Sequence, residues 1–185
     1  MPWIFSYADL GPQEVEALLK KAPFCALPAS AENYQVVFKG KSRKWGGGIA
    51  TIDKKKSSVV YGSALLVSVD EVKLFDRHFG SYVRTPITIT LAATKDQTKA
   101  YTYTIEKDAP QNSPSADYSK IITKHLKFFW GGENKNPSLQ DFGISAEPTP
   151  TIKQPVNKNV APPGSIEELI TTPSKKGRKK KEATS

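Results

Sequence analysis

Apolar and polar positions along this chain fall into short periodic blocks that end well before the C-terminus. "WIFSY", Trp3 to Tyr7, is an apolar run of strand length. "GPQEVEALLKKA" follows, with Pro12 suited to a first helical turn and Val15, Leu18 and Leu19 at helical spacing. "YQVVFKG" and "GGIATIDK" read as strands, and "SSVVYGSALLVSV" as a long strand rich in β-branched residues. A helix is predicted over Val69 to Phe79, with Val72 and Phe75 on one side. "YVRTPITITLAAT" and "KAYTYTIE" form a hairpin across the polar "KDQTK". "SPSADYSKIITKHLKFFW" is a closing helix whose buried face is Tyr118, Ile121, Ile122, Leu126 and Phe129. The order predicts an α+β fold: a strongly bent mixed β-sheet or open barrel with flanking helices outside.

The periodicity stops near Trp130. Beyond it lie seven of the 14 prolines and a single aromatic, Phe142. "EPTPTIKQPVNKNVAPPGS" cannot bury enough apolar surface to offset the entropy of ordering it. Residues 1–130 therefore read as the domain, and 131–185 as a Pro-rich, Lys-rich extended or disordered arm. "SIEELI" interrupts the arm with a capping-box pattern, Ser165 and Glu168, and places Ile166, Leu169 and Ile170 on one helical face. So short a segment does not hold a helix alone. It is either a chance patch or a docking segment that folds on a partner.

Composition narrows the classes. Of the 185 residues, 38% are hydrophobic and 10% aromatic, enough for a real core. No apolar run is long enough to span a bilayer, so no membrane contact is expected. "MPWIFSYADL" has no basic region followed by a cleavage site, so no secretory signal is expected either. Cys25 is the single cysteine and the histidines are two, His78 and His125. An internal disulfide and a Cys-based zinc site are ruled out, and neither metal nor cofactor is expected. The expected compartment is intracellular, cytoplasm or nucleus.

The net charge of +9 is uneven: the last twelve residues, "SKKGRKKKEATS", carry +5 of it. Lys175, Lys176, Arg178, Lys179, Lys180 and Lys181 are the expected contact with a macromolecular partner, with nucleic acid, or with nuclear import machinery. A solubilising terminus is the bland alternative. No aromatic interleaves with these lysines, so nucleic-acid binding through them would be non-specific and salt-sensitive.

Candidate chemistry gathers at "FDRHFGSY", Phe75 to Tyr82, where an acid, a base, an imidazole and aromatics meet at a helix-to-strand junction. "KWGGGIATID", Lys44 to Asp53, resembles the tryptophan, paired glycines and "IATI" strand of the gamma-glutamyl cyclotransferase family. Other features follow in that family's order: an opening strand, a small-residue loop and a helix; the apolar "VVYGSALLV"; a helix ending near an acidic, glycine-containing turn; and a final helix with Pro114, Ser115, Tyr118 and Ile122. The resemblance covers about Trp3 to Trp130.

What it implies is a reaction releasing 5-oxoproline from gamma-glutamyl amines, amino acids or peptides. A glutamate moves a proton from the substrate's α-amine to the leaving group, and a "YGSN" loop offers backbone N–H groups to the glutamyl moiety. Both elements depart from the pattern here. The run leucine, aspartate, two variable residues, glutamate, glycine matches Phe75, Asp76, Arg77, His78, Phe79 and Gly80, so Phe79 stands at the acid/base position and no catalytic residue is assigned. The loop reads Ser6, Tyr7, Ala8, Asp9, Leu10, without the glycine-serine pair, and Asp9 would repel the ligand's α-carboxylate. Neighbours on a helix point about 100° apart, so His78 is expected to face away from Phe79. Asp76 reads as a structural acid at the helix end.

The expected remnant pocket is Ser6, Tyr7, Ala8, Asp9, Leu10, Phe79, Tyr82 and Tyr103. The reading adopted is a catalytically inactive relative of the cyclotransferases, kept as a structural or binding module with a basic C-terminal arm. Two others stand beside it: an active gamma-glutamyl cyclotransferase or small-amide enzyme, and a small-ligand binder using the remnant pocket.

Overall fold

The structure is a computed structural model that describes residues 1–105, 108–131 and 139–144. In chain order the elements are β1 (Trp3–Ser6), α1 (Pro12–Leu19), β2 (Cys25–Lys39), β3 (Ile49–Leu66), α2 (Val69–His78), β4 (Val83–Leu91), β5 (Gln97–Thr104), α3 (Ala116–Trp130) and a 3-10 turn (Gln140–Phe142). The fold is α+β, as the element order predicts. The sheet closes into a barrel in the order β1-β3-β2-β4-β5. Closure comes from the parallel pairing of β1 with β5, through Trp3 opposite Ala100 and Ile4 opposite Tyr101. The other pairings are antiparallel.

Two strands are longer than the sequence predicts. β2 begins at Cys25 instead of near Tyr34, and "GGIATIDK" and "SSVVYGSALLVSV" belong to one strand, β3. The first half of β2, "CALPASAEN", holds poor strand formers. It is extended because β3 supplies a template, pairing Cys25 with Leu66 through to Glu32 with Val59. The register slips between Glu32 and Tyr34. Asn33 and Ser57 both take positive φ there, 61° and 63°, and the Asn33 side-chain oxygen accepts the Ser57 N–H at 3.1 Å. This irregularity shifts the alternation by one residue and keeps the apolar face inward on both sides, Ala29 and Ala31 before it and Val36 and Phe38 after it.

Strand alternation divides the apolar side chains between two cores. Phe5, Val36, Phe38, Ala50, Ile52, Ile87 and Ile89 form the first with Tyr118, Ile122 and Leu126 of α3. Ile4, Leu65 and Tyr103 form the second with Leu10, with Val15 and Leu19 of α1, and with Val72 and Phe75 of α2. Complete burial of Phe75 contributes about 2–3 kcal/mol. α2 starts with a reciprocal cap: Ser68 Oγ accepts the Glu71 N–H at 3.2 Å, and Glu71 Oε2 accepts the Ser68 N–H at 2.6 Å. Glu71 also pairs with Lys21 at 2.8 Å, linking the end of α1 to the start of α2.

Packing continues past Trp130, where the sequence reading ends the domain. Leu139, Phe142 and Ile144 belong to the first core, and the Phe142 ring meets Tyr61 edge-on at 6.0 Å. Three apolar residues within six positions are too short a run to show a helical or strand period. Ile166, Leu169, Ile170 and the cluster from Lys175 to Lys181 lie outside the described residues. Among those described, no helix is long and apolar enough to cross a membrane.

Candidate functional site

β1 carries Ile4 into one core and Phe5 into the other, and the loop after it closes the seam between them. A cavity opens at this seam. It is lined by Ile4, Phe5, Ser6, Tyr7, Ala8, Asp9 and Leu10 from the first strand and its loop, by Phe79 and Tyr82 after α2, and by Ala50, Thr102, Tyr103 and Tyr118. Thus the eight residues expected from the sequence to form a pocket do line one cavity. Its free volume is about 20 Å³, room for about one water.

Aromatic rings occupy the space. Phe79 stacks on Tyr103 with centroids 4.5 Å apart and planes 20° apart, and meets Tyr82 edge-on at 5.2 Å. Two of the hydroxyls donate to partners within the fold. Tyr7 donates to the Tyr103 carbonyl at 2.7 Å, and Tyr103 donates to Asp76 at 2.8 Å. Burial pushes the hydroxyls of Tyr7, Tyr82, Tyr103 and Tyr118 above the ordinary tyrosine range, so they stay protonated. A tyrosine held protonated is a donor and an apolar surface, and supplies no base near neutral pH.

Asp76 lies outside the cavity lining. Its two oxygens accept Tyr103 Oη and Arg84 Nη1, each at 2.8 Å, so it fastens the end of α2 to β4 and β5. His78 is exposed and touches the Phe79 ring edge-on at 4.9 Å. Neither lines the cavity.

The loop from Ser6 to Leu10 is held by its own hydrogen bonds. Ser6 Oγ donates to the Leu10 carbonyl at 3.2 Å, and the Asp9 carbonyl accepts the Gly11 N–H at 3.1 Å. Beneath it β3 must pass closely: a Cβ on Gly62 would lie 2.2 Å from the Ser6 carbonyl oxygen. Gly62 therefore fits where any larger residue would push the loop away.

His125 is the residue that sequence reasoning missed. It lies on the inner face of α3, 3% exposed, with Nδ1 against the Ala8 carbonyl and Nε2 3.2 Å from Ser63 Oγ. Burial holds its pKa below the ordinary histidine value, against the pull of the Ala8 carbonyl, Asp9 and Glu14. The neutral ring bridges the loop to β3. Its signal was the seven-residue spacing from Tyr118, which puts both on one helix face.

No family model matches the chain, and no curated protein matches it. Solved structures do. A structure of gamma-glutamyl cyclotransferase superposes with a TM-score of 0.63 at 21% identity, over 69% of this chain and 79% of that one. The fold is gamma-glutamyl cyclotransferase-like. An uncharacterized Homo sapiens protein gives 0.62 at 22% identity, over the same shares of the two chains, 69% and 79%. An Arabidopsis thaliana protein solved in solution gives 0.52 at 20% identity, over 76% and 89%.

Within this cyclotransferase-like fold the "WGGG" element has a local reason. Trp45 stacks on Tyr118 at 5.3 Å, and Gly47 and Gly48 lie against the backbone that leads into α3. Tyr118 Oη in turn accepts the Ala50 N–H at 3.2 Å. The element that carries the resemblance positions α3 and one wall of the cavity.

Proposed function

We propose that this protein is a non-catalytic relative of the gamma-glutamyl cyclotransferases, used as a binding or structural module. One observation carries the reading: Phe79, at the position that aligns with the family's glutamate, is stacked on Tyr103 in a cavity with room for about one water. A phenyl ring transfers no proton, and the rings of Phe79, Tyr82 and Tyr103 pack against one another at this point of the cavity. The loop supports the same conclusion. Asp9 lines the cavity and Glu14 sits in the first turn of α1, so negative charge already faces the helix end that would receive an anionic ligand. The folded body then serves as a rigid scaffold, and the basic arm, on its composition, as a contact for a macromolecular partner.

The test is direct. Purified protein is incubated with gamma-glutamyl-alanine and with glutathione, and 5-oxoproline is measured. Background levels are expected, and turnover would overturn the reading. Replacing Lys175, Lys176, Arg178, Lys179, Lys180 and Lys181 by glutamine in the full chain should reduce partner retention; unchanged retention would remove the arm from the proposal.

A further inference from the structure

The tail is not the only cationic segment. From Asn33 to Ser57, the part of the β2–β3 hairpin between the register slip and the connecting loop, the chain carries seven cations and one acid, net +6. With the last twelve residues at +5, the remainder of the chain totals −2. The hairpin therefore carries the positive charge of the folded body.

Six of its seven cations are exposed. The one acid, Asp53, is paired with buried Lys39 at 2.9 Å. Lys41, Arg43 and Lys44 in the connecting loop are exposed, as are Lys54, Lys55 and Lys56 at the register slip. Among the described residues none of these six forms an ion pair.

The backbone carrying both groups is hydrogen-bonded. In the loop, Ser42 N–H donates to the Gly47 carbonyl at 2.8 Å, Gly46 N–H to the Ser42 carbonyl at 2.9 Å and Trp45 N–H to Ser42 Oγ at 3.1 Å. The loop is also anchored by the stack of Trp45 on Tyr118. At the slip, the Asn33–Ser57 bond fixes the bulge that presents the three lysines. Five residue steps lead along β3 from Ile49 to Lys54, about 17 Å at about 3.3 Å each.

We propose that this hairpin ridge binds the phosphate backbone of a nucleic acid. Duplex DNA carries about one charge per 1.7 Å of axis, so the ridge spans on the order of ten phosphate charges. Two exposed cation clusters at separate points of one hairpin match a repeating polyanion better than a single small anion. Trp45 is already covered, by Tyr118 on one side and by Lys44 Nζ at 4.4 Å from its ring centroid. Base stacking is thus unavailable there, and binding is independent of sequence. The inference rests on the binding-module reading but moves a contact from the arm to the folded body.

The experiment is fluorescence anisotropy of the full chain with a labelled 20-base-pair duplex across a salt series. Two triple variants are compared with it: Lys41→Gln/Arg43→Gln/Lys44→Gln and Lys54→Gln/Lys55→Gln/Lys56→Gln. A charge-matched control changes Lys73, Lys120 and Lys124 on the helices to glutamine. Each hairpin variant is expected to bind about tenfold more weakly at low salt, with the slope of log K against log salt reduced by about 3. The control is expected to stay within about twofold. Absent binding, equal losses in the control, or unchanged affinity in both hairpin variants would overturn the proposal. So would displacement of the duplex by polyglutamate at equal charge, which would point to an acidic protein instead. If a triple variant melts early, Lys44→Gln and Lys55→Gln alone should each lower the slope by about 1. Turnover of gamma-glutamyl-alanine is scored separately, so failure here is distinguishable from failure of the non-catalytic reading.

Discussion

The rings of Phe79 and Tyr103 lie 4.5 Å apart and nearly parallel, and Tyr103 also accepts the Tyr7 hydroxyl through its carbonyl while donating its own hydroxyl to Asp76. One strand residue thereby joins the first loop, the end of α2 and the aromatic filling of the cavity. Changes at any of these three places should be felt at the others.

Phe79→Glu is the sharpest change. It restores the acid that the family pattern expects but places a carboxylate against Tyr103 and Tyr82. The loss of stacking and packing should cost about 1–3 kcal/mol in urea unfolding. 5-Oxoproline formation should remain at background, because Asp9 and the loop are unchanged. Turnover in this variant would mean that the loop still accepts a gamma-glutamyl group.

Asp76→Ala removes the acceptor shared by Tyr103 and Arg84. Each hydrogen bond contributes about 1 kcal/mol, so a loss of about 1–2 kcal/mol is expected, with Asp76→Asn in between. Equal stability of Asp76→Ala and the parent protein would show that the network is dispensable.

The site was legible where a residue type is tied to a chemical task. Phe79 stood out because an apolar ring stands where the resembled cyclotransferase pattern has a glutamate, and the loop from Ser6 to Leu10 because that pattern's glycine-serine pair is absent from it. All eight residues named from that comparison meet at one cavity. What escaped has a common physical origin: it depends on partners distant in sequence. The first half of β2 is extended because β3 lies beside it. His125 matters because Ala8 and Ser63 converge on its two nitrogens. Leu139, Phe142 and Ile144 matter because Tyr61 and its neighbours leave a surface to cover. The cationic hairpin went unread because its six exposed cations form two short runs, Lys41 to Lys44 and Lys54 to Lys56, separated by the apolar start of β3.

His125 sets a pH dependence. Burial lowers its pKa in the folded protein, while the unfolded chain titrates near 6.5. Below that value the unfolded state binds the extra proton, so stability falls as pH drops through about 6.5 and levels off beneath the folded value. Above about pH 7 this contribution is fully present. Urea midpoints at pH 5, 6, 7 and 8 should show this slope, and His125→Gln should flatten it. A slope unchanged in the variant would assign the titration elsewhere.

Glu71 acts in a lower window. Burial alone would raise its carboxyl, but Lys21 and the Ser68 cap hold it below the usual glutamate value. Its contribution is present above about pH 4.5 and lost as pH falls through the folded value. The stability difference between the parent protein and Glu71→Gln should therefore be largest near neutrality and shrink below about pH 4. A difference that stays constant down to pH 3 would sink this assignment.

Gly48→Ala tests why the "WGGG" element exists. An added Cβ would lie 2.1 Å from the Asn112 carbonyl oxygen and 3.2 Å from Phe38 Cβ. Both neighbours are constrained. The Asn112 N–H donates to the Phe38 carbonyl at 3.1 Å, and the Asn112 side chain to the Gly40 carbonyl at 3.0 Å. The backbone cannot retreat without breaking those bonds and shifting the start of α3. Overpacking of this kind costs about 1–3 kcal/mol or more, before the lost hydrogen bonds are counted. Gly80→Ala is the matched control: its Cβ would meet only the Arg77 carbonyl, at an ordinary 3.5 Å. Thermal melts should show a large drop for Gly48→Ala and almost none for Gly80→Ala. Equal tolerance at both positions would mean that the glycines serve something other than this close approach, and the resemblance at "WGGG" would lose its structural explanation.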